Sequence, residues 1–241
     1  DEKWKGIAEL ILPVAKAYNT DQGFKVTEQA IQCYGGYGFC QDYPVEQFMR
    51  DMKIGSLYEG TNGIQSMDLV GRKLGSKKGA TFMALLGEMN ATFEKYKNIP
   101  GLDDVAKDIK AAIDLLAGMG MYFAQCGKEG KFLMPIINSK PFLNLMGNVC
   151  FAWLLLWQAG VAAGELATIC KAKGVDPSDP KAVKKLAKED KEAAFYSGKI
   201  FGARYYAKNV LPEAEGIAKA IKNEDQSLMF IDDASFACGE N

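Results

Sequence analysis

Residues 141–164 read PFLNLMGNVCFAWLLLWQAGVAAG, a run without one charged side chain. Its length would cross a bilayer. The polar residues in it and just beyond it argue otherwise. Asn144, Asn148, Gln158 and Glu165 fall on one arc of a helical wheel. A lipid-facing helix does not keep a polar stripe along its length, whereas the central helix of a bundle can turn such a stripe toward its neighbours. The expectation is a helix buried in protein, with no stable membrane insertion.

Working outward, the pattern is helical nearly everywhere. Trp4, Ile7, Ile11, Val14 and Tyr18 recur at helical spacing, as do Val26, Ala30, Cys33 and Tyr34. Gly35-Gly36-Tyr37-Gly38 breaks the pattern. Asp42 and Pro44 then offer a cap and a first-turn proline to a helix through Phe48, Met49, Met52 and Ile54. The turn Tyr58-Glu59-Gly60-Thr61-Asn62 leads into a further helix, with Thr61 or Asn62 as its N-cap. Gly75-Ser76-Lys77-Lys78-Gly79 is short, polar and glycine-flanked, so it divides residues 1–75 from residues 76–241. Beyond it, helices are expected near 80–97, 102–126, 141–173 and 180–222, joined by short links as in an antiparallel bundle. The fold class is all-α.

Composition narrows the chemistry. The chain has 241 residues, 48% of them hydrophobic, with 29 basic against 30 acidic side chains. That balance gives no long-range attraction to nucleic acid. Histidine is absent, so Ser-His-Asp and Cys-His catalysis and His-ligated zinc are excluded. Acid–base work must fall to a carboxylate, lysine, tyrosine or cysteine. Cys33, Cys40, Cys126, Cys150, Cys170 and Cys238 form no C-x-x-C pair, so no metal site is expected and mostly buried, reduced thiols are. The mixed charges of Lys181 to Lys191 read as a solvated helix face, and Phe195, Tyr196, Phe201, Tyr205 and Tyr206 as core aromatics. The chain opens Asp1-Glu2-Lys3-Trp4, with neither an initiator Met nor a signal-peptide pattern, as expected of a piece of something longer.

Two motifs carry the chemistry. In Gln32-Cys33-Tyr34-Gly35-Gly36-Tyr37-Gly38-Phe39 a helix ends in glycines, whose backbone a phosphate can approach closely. In Tyr58-Glu59-Gly60-Thr61 a carboxylate sits in a tight turn before a glycine. With Pro44-Val45-Glu46-Gln47-Phe48-Met49-Arg50-Asp51 between them and Gly63-Ile64-Gln65 after, the first 75 or so residues resemble the C-terminal helical domain of acyl-CoA dehydrogenases. That family carries a Q-x-x-G-G-x-G-[FY] turn, a Y-P-V-E-x-x-x-R-D helix and a Y-E-G-T turn at these separations. The extension, ending Phe230-Ile231-Asp232-Asp233-Ala234-Ser235-Phe236, is similar to that of the 3-methylmercaptopropionyl-CoA dehydrogenase-like subgroup.

The resemblance implies that residues 1–75 end the family's helical bundle and that residues 76–241 pack on the core, at a dimer interface or over the acyl channel. It makes Glu59 the base that removes the α-proton of an acyl-CoA thioester while the β-hydrogen passes to flavin. The backbone N–H of Glu59 would donate to the thioester carbonyl, and Gly60 would leave room for the substrate. A carboxylate gains basicity when desolvated, and the carbonyl must be polarised as enolate charge develops. FAD would be held at its ADP half by Gln32, Cys33, Tyr34, Gly35 and Gly36, usually in the neighbouring subunit, and again by Thr61, Asn62 and Gly63. At Gly63 many relatives carry Gln, so that contact is missing or supplied by backbone. Arg50 and Asp51 read as a buried or interface ion pair shaping the turn.

The expected partners are an acyl-CoA, the N-terminal remainder of the enzyme, an electron-transferring flavoprotein and further copies, as a homodimer or homotetramer. The expected location is the cytoplasm, or the mitochondrial matrix in a eukaryote. Only 58 residues precede Glu59, where a full family member places a helical domain and a β-domain, so the chain by itself is expected to be inactive. The alternatives are part of an acyl-CoA oxidase, or a non-catalytic helical assembly fragment.

Overall fold

The computed structural model describes residues 1–236, and among them there is no strand. Helix α1 (Glu2–Tyr34) runs unbroken through Pro13. Its buried positions lie in its first half, from Ile7 to Tyr18, while Trp4 and Val26 on the same apolar pattern are exposed. A 3-10 turn at Gly35–Phe39 leads to α2 (Val45–Ile54). Asp42 does not cap α2. Pro44 takes the N-cap position with nearly helical angles, and its carbonyl accepts the Phe48 N–H at 3.1 Å. Helix α3 (Asn62–Asp68) starts under a Thr61 hydroxyl cap and widens into a π turn at Leu69–Lys73.

The linker at 75–79 reverses the chain through three consecutive left-handed residues, Lys77, Lys78 and Gly79. Then come α4 (Ala80–Tyr96), α5 (Asp103–Lys128), the short α6 (Leu133–Ile137) and α7 (Ser139–Lys173). The last expected helix is three: α8 (Pro180–Glu189), α9 (Lys191–Asn209) and α10 (Glu213–Lys222). Asp190 is extended, and its carboxylate caps α9 by accepting the N–H groups of Glu192 and Ala193, both at 3.0 Å. Pro212 has no N–H to continue α9. Mixed charges at helical spacing mask the break at Asp190, whereas Pro212 itself marks the second.

One apolar core joins α1, α4, α5, α7, α9 and α10 across the linker, and a small second cluster around Leu166, Val183 and Leu186 holds α8. Helix α7 is long and apolar enough to span a membrane, and two-thirds of its most apolar window is buried in the bundle. Its polar stripe meets neighbouring helices at two of its four residues, while Glu165 is exposed. Buried Asn148 accepts from the Tyr18 hydroxyl at 2.7 Å, and Gln158 accepts from Lys199 at 3.1 Å. Two glycines let rings press on the α7 backbone. A Cβ at Gly147 would lie 2.2 Å from the Tyr18 ring, and one at Gly160 2.3 Å from the Tyr96 ring.

The aromatic row of α9 corrects the sequence reading in part: Tyr196 and Tyr206 are half-buried against the two apolar clusters as expected, but the other three are not. Phe195, Phe201 and Tyr205 are exposed, because α9 buries Ala193, Ser197, Ala203 and Ala207 instead. Small side chains let two helix backbones approach closely, which turns the bulky ones outward. Cys126, Cys150 and Cys170 are buried as expected, but Cys33 and Cys40 are exposed; Cys238 lies outside the described residues.

Helices α5 and α9 are also tied by charge. Arg204 grips Asp104 with both guanidinium nitrogens at 2.9 Å, and donates to the Gly101 carbonyl at 2.6 Å. That pairing, with Lys208 assisting, lowers the Asp104 carboxyl from 3.8 to about 2. A carboxylate whose pKa is lower in the folded chain adds stability that is complete above its unfolded value and is lost as pH falls toward the folded value. Asp104→Asn is therefore expected to flatten the fall in stability between pH 3.8 and about 2. Denaturant midpoints taken across that range check this; an unchanged slope would count against the pair.

Candidate active site

The turn between α2 and α3 is built against α1. Gly55 sits so close to it that a Cβ there would lie 2.9 Å from Thr20 Cγ2. The Asn62 N–H closes the turn on the Ser56 carbonyl at 3.2 Å. Between them Glu59 and Gly60 are both left-handed, with φ of 54° and 82°. Their carbonyls are tied back into the protein: Glu59 O accepts Gln65 Nε2 at 3.1 Å, and Gly60 O accepts Lys16 Nζ at 2.6 Å. The N–H groups of Glu59, Gly60 and Thr61 donate to nothing among the described residues. The turn thus offers amides and an exposed carboxylate on one short stretch of chain.

Asn62, expected on a cofactor, turns inward. Its Nδ2 donates to Ala17 O at 3.1 Å and to Asp21 Oδ1 at 2.7 Å, and its Oδ1 accepts from Lys16 at 2.9 Å. Thr61 Oγ1 is engaged by the Ile64 N–H at 3.2 Å, while Gly63 is exposed. Lys16, which sequence reasoning passed over, is the side chain that ties the turn to α1. The available signal was a single cation inside the apolar run Leu12-Pro13-Val14-Ala15-Lys16-Ala17-Tyr18.

Gln32, Cys33, Tyr34, Gly35 and Gly36 are all exposed where α1 ends. Gly35 has φ 62°, and a Cβ at either glycine would meet nothing within 4 Å. An extended ligand can therefore lie directly on this backbone beside the Gln32 carboxamide, which fits the phosphate end of a dinucleotide. Among the described residues the two motifs stand apart. Lys16, under the Glu59 turn, and Gln32 are separated by sixteen residues of helix, about 24 Å at the usual rise.

Arg50 and Asp51 correct one half of the sequence reading, the buried pair. Arg50 is exposed and pairs with Glu46 at 2.9 Å, one helical turn back, and Asp51 is exposed as well. The pair is therefore not buried, since α2 turns both toward solvent. Around the Glu59 turn lie large exposed apolar side chains, Ile54, Leu57, Tyr58, Ile64 and Met67. Such a concentration marks a surface made to be covered. No group of three or more His, Cys, Asp or Glu gathers as for a metal among the described residues.

Two family models match. One described as Acyl-CoA dehydrogenase, C-terminal domain covers residues 5–75, and one described as Acetyl-CoA dehydrogenase C-terminal like covers residues 85–232. The chain is 31% identical over 235 residues to a broad-specificity linear acyl-CoA dehydrogenase of Mycobacterium tuberculosis, covering 95% of this chain and 36% of that protein. It is 32% identical over 219 residues to a butyryl-CoA dehydrogenase of Syntrophomonas wolfei, covering 90% and 32%. It is 30% identical over 227 residues to a 3-methylmercaptopropionyl-CoA dehydrogenase of Ruegeria pomeroyi, covering 93% and 35%. The chain spans about a third of the length of these curated relatives.

Proposed function

This chain belongs to the acyl-CoA dehydrogenase family, and from that premise we propose that it supplies the base-bearing turn of an FAD-dependent enzyme that desaturates an acyl-CoA thioester between its α and β carbons. The observation that carries the reading is the turn itself: the Glu59 carboxylate and three unengaged amides, held on a braced backbone and ringed by uncovered apolar side chains.

In this reading Glu59 removes the α-proton. The N–H of Glu59 donates to the thioester carbonyl, where an amide aimed at the developing enolate oxygen lowers the barrier. Gly60, without a side chain, admits the thioester beside the base. Bound FAD would supply the acceptor for the β-hydrogen and its electron pair. Gln32 and the backbone at Gly35 and Gly36 hold the ADP half of FAD, and Thr61 and Gly63 make a second contact. The roughly 24 Å along α1 between the two motifs agrees with sites serving opposite ends of an extended cofactor or two cofactors in neighbouring subunits. Glu59 is exposed in this chain, so the dryness that strengthens a carboxylate base comes from what covers Ile54, Tyr58 and Ile64. The enzyme is a homodimer or homotetramer that passes its electrons to an electron-transferring flavoprotein.

The test is to mix the complete flavoenzyme containing this chain with a panel of saturated acyl-CoA thioesters under anaerobic conditions. Bleaching of the flavin absorbance with formation of the α,β-unsaturated product is expected, and no bleaching with the corresponding free acids. Failure with every thioester overturns the reading.

A further inference from the structure

Glu59 and Gly60 occupy a backbone region that side-chain-bearing residues rarely adopt, with φ of 54° at Glu59. Such strain persists only where the surroundings over-determine it. Two donors do so here. Gln65 holds the Glu59 carbonyl at 3.1 Å, but it sits six residues along the same chain segment and moves with the turn. Lys16 comes from α1, 44 residues earlier, and takes the Gly60 carbonyl at 2.6 Å. It therefore fixes where the turn stands as well as how it is shaped.

The ammonium is half-buried and also donates to Asn62 Oδ1 at 2.9 Å. Hydrogen bonds from a charged donor are roughly twice as strong as neutral ones. Asn62 in turn grips α1 through Ala17 and Asp21, and the second oxygen of Asp21 pairs with Lys140 of α7. The turn is thus fastened to α1 at Gly60 and Asn62, and α1 to the long central helix. Because a peptide unit is planar, a carbonyl held on one side orients the N–H on the other. Lys16 on Gly60 O consequently aims the N–H of Thr61, and the left-handed pair before it is held from that side.

We propose that Lys16 is a positioning residue for proton abstraction: its ammonium holds the Gly60 carbonyl so that the neighbouring Glu59 carboxylate meets the α-carbon of the bound thioester. The inference rests on the reading of Glu59 as base. Lys16 touches no reacting atom, and its effect passes through the turn. A displacement of about 1 Å at a reacting group can cost about a hundredfold in rate.

The test is Lys16→Met in the complete flavoenzyme, with Lys16→Arg and Lys16→Gln beside it. Lys16→Met is expected to lower kcat about a hundredfold, with KM and flavin content near wild type. The isotope effect with α-deuterated thioester should rise, because proton abstraction becomes the slow step. Lys16→Arg, which keeps a charged donor, should recover much of kcat. A wild-type kcat in Lys16→Met overturns the proposal. So does a loss shared by kcat and flavin content with an unchanged isotope effect, which is what a merely structural lysine would give. If Lys16→Met does not accumulate folded, Lys16→Gln is read by the same criteria. Glu59→Gln separates the two ideas: activity there sinks the base assignment, whereas an inactive Glu59→Gln beside a fully active Lys16→Met sinks the Lys16 proposal alone.

Discussion

Glu59→Gln in the complete enzyme is expected to lower turnover about ten-thousandfold, at the upper end of what a positioned general base contributes. Flavin content and thioester affinity should stay near wild type. The substitution keeps the length and shape of the side chain, and it leaves untouched the backbone contacts to Gln65 and Lys16 that hold the turn. What it removes is the ability to accept a proton from carbon. Histidine is absent from this chain, so no imidazole nearby in sequence can substitute. Rapid mixing with a saturated thioester separates the outcomes, because binding gives a fast spectral perturbation and proton removal a slow bleaching. Retained turnover would remove Glu59 from the chemistry and favour a helical assembly role for the whole chain.

The largest effect on stability is expected at Phe142. It is fully buried near the start of α7, its ring centroid 4.9 Å from that of Phe123 on α5. Truncating such a ring loses its transfer free energy and leaves a cavity that the surrounding helices close only in part. Phe142→Ala is expected to cost about 3–5 kcal/mol. Phe195→Ala is the control. It removes the same side chain from α9, where the ring is 60% exposed, and should change stability by no more than about 0.5 kcal/mol. Chemical denaturation of the 241-residue chain, followed by circular dichroism, reads both variants. Similar losses in the two would show that the core is not organised around the start of α7.

That contrast separates what the residues state locally from what folding adds. Helical periodicity placed α4, α5 and α7 within a few residues of their ends, because a 3.6-residue repeat and a Gly or Pro stop are properties of one segment. The α3 cap was legible to within two neighbours, Thr61 and Asn62, for the same reason, and Thr61 takes it. So was the polar stripe on α7, which does meet protein partners at Asn148 and Gln158.

Burial was not legible where it depended on a partner element. Phe195, Phe201 and Tyr205 looked like core, yet the alanines of α9 face the bundle, because the approach of two helices depends on both surfaces at once. The second half of α1 repeats the apolar pattern of the first without a core to enter. Lys16 lies 44 residues before Gly60 in the chain, so no local pattern joins them. The sequence by itself determined that the chain is helical, where α4, α5 and α7 begin and end, and that Glu59 stands in the turn before α3. Only the tertiary structure decided which faces are dry and which lysine holds the Gly60 carbonyl in that turn, because both are set by contacts between segments distant along the chain.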